Sequence, residues 1–206
     1  MRYTVTSIIN QIRDNLADRY KSGFPIVKEL IQNADDAFAS HINLVLVQNG
    51  LDAPHPLLRG PSLAVINNGE FKEEHGQAIN SISYSSKTGN QYAIGRYGLG
   101  LKSMFHLCEA FFFISNLDRM LHIINPWAEP DGKEKEYDPL YPEWDQIASE
   151  DHQAVLDQIQ KFTFGMPQFL CLWIPLRQEA HFNRRHPIIR ELAGEPELEL
   201  SGLAVV

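Results

Sequence analysis

Residues 25–40, PIVKELIQNADDAFAS, constrain this chain more than any other stretch. Pro25 suits a first helical turn, where its missing N–H costs no hydrogen bond, so a helix is predicted from there to about Ser40. Within it Glu29, Asn33 and Asp36 stand at i, i+4 and i+7 and share one stripe, beside the small Ala34 and Ala37. A solvated polar face would account for such a stripe. Its surroundings argue otherwise, because Leu30 and Ile31 border it and two apolar runs, INLVLVQ (42–48) and SLAVINN (62–68), follow at once. A helix laid on a sheet turns aliphatics inward, so polar groups on that side point to a ligand site.

The remaining pattern gives one domain over residues 1–206. Ile8, Ile9, Ile12, Leu16 and Tyr20 predict an amphipathic helix over 5–20, ended by Gly23. Residues 70–100 turn polar and lose their period; Ser81, Ser83, Ser85, Ser86, Thr88 and Gly89 suggest a mobile lid. A short helix near 99–109 and strands at 110–116 and 120–126 come next. The acidic, Pro-rich stretch from Trp127 to Asp145 reads as a surface insertion, with the variable region extending to about 165. A helix near 150–162, a strand at 169–177 and a short helix near 187–193 complete the chain. Alternating elements of this kind favour α+β over a doubly wound sheet.

Charge excludes some functions. Lys and Arg number 18 against 26 Asp and Glu, a formal net charge of −8, so no broad basic surface exists to hold a nucleic acid by counterion release. Arg177, Arg184, Arg185 and Arg190 leave only a local basic patch open. Cys108 and Cys171, far apart in apolar surroundings, read as reduced core thiols. No apolar run is long enough for a bilayer, so the expectation is a cytoplasmic protein with no membrane partner.

A second cluster, Gly95-Arg-Tyr-Gly98-Leu99-Gly100-Leu-Lys102-Ser103, leads into a helix and offers backbone N–H donors and a positive helix end to a phosphate. It is not a P-loop, which needs Lys directly after the last glycine; here Leu101 intervenes. Lys87 and Arg96 read better as surface charges of a loop than as phosphate ligands, and His106 as structural rather than catalytic.

The order of ELIQNADDA (29–37), VINNGEF (65–71), IGRYGLGLKS (94–103) and WIPLR (173–177) resembles the ATP-binding domains of the gyrase, heat-shock chaperone, histidine kinase and MutL superfamily, and most of all sacsin-type domains. The resemblance covers roughly residues 5–178. It implies the Bergerat fold, a two-layer α/β sandwich with a mixed, mostly antiparallel sheet, helices on one face and a mobile ATP lid. It implies a magnesium-dependent ATPase with Glu29 as the base that polarises water and Asn33 as the magnesium ligand. Asp36 and Ala37 would support the pocket; Gly95, Gly98, Leu99 and Gly100 would hold phosphates, aided by Lys102 and Ser103. Lys102 is equally readable as an exposed helix lysine.

The family's Asp-x-Gly-x-Gly adenine motif is replaced by Ile66-Asn-Asn-Gly-Glu70, so Asn67 or Asn68 would read adenine, an asparagine oxygen accepting from the amino group while its NH2 donates to a ring nitrogen. Relatives of this kind borrow a cation from a following domain, which implies slow turnover here, an unknown protein client or partner domain, and leaves an ATP-dependent dimer open. Binding without useful hydrolysis, as a nucleotide-gated interaction module, is the alternative. A histidine-kinase role would need a phosphoacceptor helix, and residues 5–20 hold no histidine.

Overall fold

The computed structural model describes residues 12, 24–84, 101–127, 142–178 and 204–205. Helix α1 (Phe24–Asp36) is followed by strands β1 (Ile42–Val47) and β2 (Ser62–Asn67), helix α2 (Glu73–Tyr84), strands β3 (Phe111–Ser115) and β4 (His122–Ile124), helix α3 (Ser149–Thr163) and strand β5 (Leu170–Pro175). A last strand, β6 (Ala204–Val205), pairs parallel to the edge of β1. The sheet order is β4-β3-β5-β2-β1-β6, and the first five strands pair antiparallel. The architecture is α+β.

Helix α1 buries Ile26, Leu30, Ala34 and Ala37 against the sheet, one residue per turn along one side. Its end is a Schellman arrangement: Ala39 N–H donates to Ala34 O and Phe38 N–H to Asp35 O. The position that favours glycine in that motif is held by Phe38, at φ 58°.

The helices divide between the two faces of the sheet. Neighbouring residues on a strand project to opposite sides. On β3, Phe113 lies 6.3 Å from the Phe71 ring, centroid to centroid, whereas Phe112 receives the edge of the His55 ring at 5.0 Å. His55 is tied to α3 by its N–H donating to Asp151 Oδ1 (2.7 Å), and its Nε2 bonds to Trp144 O (2.9 Å). The 3₁₀ turn Pro56–Arg59 and α3 therefore cover the face opposite α1 and Phe71, and every residue of β2, β3 and β5 is buried. This corrects the expectation of helices on a single face.

Two other expectations change. Residues 73–84, inside the expected lid, form α2, opened by Glu73 and Glu74 where a helix N-terminus favours negative charge. At the two ends of the acidic stretch, read as a surface insertion, Trp127 and Trp144 are buried, while Val155 and Ile159 of α3 are in the core as expected of that helix. Residues 128–141 lie outside the described part, as do 5–11 and 13–20 of the N-terminal helix, the expected helix at 187–193 and the lid beyond 84. Among the described residues no helix is long and apolar enough to cross a membrane. Both cysteines are free and buried, and burial pushes their thiols up from the ordinary range.

Candidate functional site

Where α1 meets the sheet the chain leaves a narrow cleft. Leu30 and Asn33 of α1, with Ala37 just after it, form one wall, Val65, Asn67, Leu170 and Leu172 the floor, and Gly69, Glu70, Phe71 and Leu101 the remainder. The floor follows from register: Val65 pairs with Leu172 and Asn67 with Leu170, so all four residues project from the same face. An apolar cleft with a few polar groups is the ordinary make-up of a small-molecule site.

Asn33 supplies the first of those groups. Its Nδ2 is buried and has no hydrogen-bond partner among the described residues. A buried donor left unpaired costs about 1–3 kcal/mol, so such an atom in a cleft wall fits a ligand that brings an acceptor. Glu29 stands one turn earlier, half-buried and not part of the wall; Asp36 is exposed. The cleft stripe Leu30-Asn33-Ala37 is rotated by roughly a quarter turn from Glu29 and Asp36 at 3.6 residues per turn. Of the expected triad, then, Asn33 alone lines the cleft, with Ala37 beside it.

The two adjacent asparagines have different surroundings. Asn68 leaves the strand and ties the end of α1 to the sheet: its Oδ1 accepts from Ser40 N and His41 N, each at 2.9 Å, and its Nδ2 donates to Ser40 Oγ. Asn67, buried at the strand end, lines the cleft, and its Oδ1 accepts from Gly69 N at 3.0 Å. Gly69 is required there by contact. A Cβ on it would stand 2.7 Å from Ala37 Cβ and 2.9 Å from Ala37 O. The close approach lets Glu70 N–H donate to that carbonyl at 2.8 Å, which locks the loop to the helix end.

From the glycine-rich segment the structure describes only the last three residues. Leu101 is in the cleft wall, while Lys102 and Ser103 are buried beside it and outside the wall. Lys102 is thus not an exposed helix lysine, and burial lowers its pKa. Gly95, Gly98, Leu99 and Gly100 lie outside the described residues, as do Lys87 and Arg96. The expected helix at 99–109 is helical at 101–102 and then tightens into a 3₁₀ turn, Ser103–His106. Arg177 clamps that turn from the end of β5. Its Nη1 donates to His106 O (2.7 Å), its Nη2 to Phe105 O and Cys108 O (2.7 and 2.6 Å), and its Nε pairs with the buried Glu109. Arg177 is therefore not part of a surface basic patch. His106 is half-buried, and burial and the Arg177 charge lower its pKa, as suits a structural residue.

The sequence reading did not single out Gly69, Phe71 or the leucines of β5 as walls, nor Arg177 as the clamp. Only Gly69 had a visible signal, a glycine directly after a strand beside polar residues.

A family model of the sacsin domain matches residues 5–197. The chain belongs to the sacsin-domain family. Sacsin of Homo sapiens is 37% identical over 120 residues, which amounts to 55% of this chain. The match spans 3% of that protein's length, so this sacsin domain corresponds to a small part of it. The cleft lies within the matched region, between the helix that carries Asn33 and the strands that carry Asn67 and Leu170.

Proposed function

We propose that this sacsin domain is a variant of the Bergerat fold with α3 added on the second face of the sheet, binds magnesium and ATP in the cleft beneath α1, and hydrolyses ATP slowly to move a lid against a protein partner. The observation that carries the reading is the unpartnered, buried amide of Asn33 in an otherwise apolar cleft. An asparagine amide turns over readily about its last torsion, which brings an oxygen where the nitrogen stands, and a neutral oxygen suits a hard cation. A magnesium ion there would be held largely by phosphate and water oxygens, beside Asn33. When bound, magnesium would neutralise phosphate oxygens and orient the triphosphate.

The chain's own residues supply the rest. Leu30, Val65, Leu170 and Leu172 give a base two apolar faces to lie between, and Asn67 reads its edge. Glu29, one turn from Asn33, is the carboxylate assigned to orient and deprotonate the attacking water. Gly95, Gly98, Leu99 and Gly100 are assigned to the phosphates through backbone N–H groups, with Lys102 and Ser103 at the end of that segment. Asp36, exposed in this arrangement, is assigned no contact.

One observation favours the second reading, binding without useful turnover: Glu29 does not line the cleft, whereas Asn33 and Asn67 do. Calorimetry of ATP with and without magnesium, on wild type and Asn33→Ala, together with phosphate release from wild type and Glu29→Ala, separates the two. Magnesium-dependent binding lost in Asn33→Ala, with turnover lost in Glu29→Ala, is the expected result. Binding with no turnover above background selects the gated module, and no binding by the wild type refutes the site.

A further inference from the structure

The strand register brings four chain connections to one end of the sheet. Asn67 pairs with Ile42 and with Leu170, Leu170 also pairs with Ser115, and Phe113 pairs with His122. The connections from α1 to β1, β2 to α2, β3 to β4 and α3 to β5 therefore share that end, along a front of about 20 Å, four strand spacings. Among the described residues five large apolar side chains are exposed, and all but Ile31 stand on these connections: Phe38, Leu117, Met120 and Phe164. Phe38 and Phe164, which follow the ends of α1 and α3, are 85% and 88% exposed.

Backbone strain accompanies this exposure. Both non-glycine residues with a positive φ among the described residues, Phe38 and Arg119, lie on these connections. A phenylalanine in the left-handed region is strained, and one so exposed recovers nothing by packing inside its own domain, so the strain points to a contact made outside it. The charges on the same connections say what would make that contact. Six exposed carboxylates, Asp35, Asp36, Glu70, Glu73, Glu74 and Asp118, stand there against three exposed cations, Lys72, Arg119 and Lys161. Phenyl faces and carboxylates both attract cations. A second copy of the chain would bring the same acidic end and a formal net charge of −8, and would be repelled. We infer that this end of the sheet is a docking surface for a basic protein segment, one that sets Arg or Lys beside bulky apolar side chains, with Phe38 and Phe164 as the anchors.

None of the four apolar side chains lines the cleft, so the test is run without nucleotide and its failure leaves the nucleotide reading standing. The probe is a fluorescein-labelled peptide of alternating Arg and Leu, about ten residues long and so able to cross the front, titrated with the full chain by fluorescence anisotropy at physiological salt. A matched peptide carries Glu in place of Arg. The Arg peptide should bind about tenfold tighter than the Glu peptide, and Phe38→Gly and Phe164→Ser should each weaken it about tenfold, whereas Ile31→Ser should leave it unchanged. Both phenylalanines are exposed, so these variants should melt no lower than the wild type. Should either melt lower, Asp35→Lys combined with Asp36→Lys reads the same surface and should weaken the Arg peptide by a similar factor. Equal affinity for the two peptides, no binding of the Arg peptide, or wild-type affinity in the variants overturns the proposal. So does a dimer in sedimentation, or adsorption to phosphatidylcholine vesicles, that Phe38→Gly abolishes, since either gives this end to a different occupant.

Discussion

Arg177→Met should be among the most destabilising single changes available in this fold. The side chains of Arg177 and Glu109 are only 4% and 0% exposed, so the pair sits out of water. Its Coulomb attraction is offset by the cost of desolvating both charges, and the pair as a whole adds little net stability. Breaking it is another matter. Methionine fills similar volume but leaves the buried Glu109 charge without its arginine, and Glu109 Oε2 already has no hydrogen-bond partner among the described residues. Removing one member of such a pair costs about 3–5 kcal/mol. The carbonyls of Phe105, His106 and Cys108 lose a charged donor in the same step. At about 2–4 °C per kcal/mol for a chain of this size, the melting temperature should fall by roughly 6–20 °C. Circular dichroism melts at neutral pH measure it. Combining Arg177→Met with Glu109→Leu removes both charges and should recover more than half of the loss. Arg177→Lys, which keeps the charge but cannot reach three carbonyls with one fork, should fall between. A melting point within about 2 °C of wild type for Arg177→Met, or a double variant no better than the single, would refute the account.

Three further outcomes follow from particular contacts. Gly69→Ala forces its Cβ against Ala37 and should cost about 1–3 kcal/mol while weakening any cleft ligand, read by melting and titration together; an unchanged melt means the loop has room the contacts deny. Phe38→Gly should raise stability by about 0.5–1 kcal/mol, because Phe38 is 85% exposed and holds a left-handed conformation that glycine adopts without strain, and a lower melting point would show that Phe38 makes a contact of its own. His55 has its pKa lowered by burial from the ordinary 6.5, so the folded state binds its proton less readily than the unfolded chain. The stability it contributes is complete above about pH 6.5 and is lost as pH falls below it, so melting points taken from pH 8 to pH 5 should drop more steeply in wild type than in His55→Gln.

Much of the architecture could be read from periodicity, because each of the five antiparallel strands is a short apolar run between turn residues, and α1 and α3 carry apolar stripes. Helix α2 could not. Its residues, EEHGQAINSISY, are mostly polar, and its serines continue into a run that reads as loop. The side on which α3 packs was also hidden, since it shows only in long-range contacts such as the hydrogen bond from His55 N–H to Asp151 across 96 residues of sequence. Tertiary contacts of that kind leave no local pattern. Arg177 illustrates the same limit: in sequence it is one of four arginines near the C-terminal end, and only the fold brings it to the carbonyls of residues 105–108.

The choice between Asn67 and Asn68 shows why a site can be located in sequence without being resolved. Strand side chains alternate between faces, so one of two adjacent asparagines at a strand end must face α1 and the other must not. Reading which one requires knowing which face of the strand points to the helix. A strand buried on one side announces this by alternating apolar and polar residues; β2, SLAVIN, is buried along its whole length and alternates in nothing. Once the Val65–Leu172 and Asn67–Leu170 pairs place both residues of β2 on the cleft floor, the remaining asparagine is free to bind the backbone of Ser40 and His41. The two then depend on each other. Asn68 holds the backbone of Ser40 and His41 just after α1, the end of that helix meets Gly69, and the Gly69 N–H in turn holds the Asn67 oxygen. On this chain of contacts Asn68→Ala, though outside the cleft, should weaken ligand binding by freeing the Asn67 amide to turn. Calorimetry of Asn68→Ala beside Asn67→Ala tests it: comparable losses support the coupling, and wild-type affinity in Asn68→Ala breaks it.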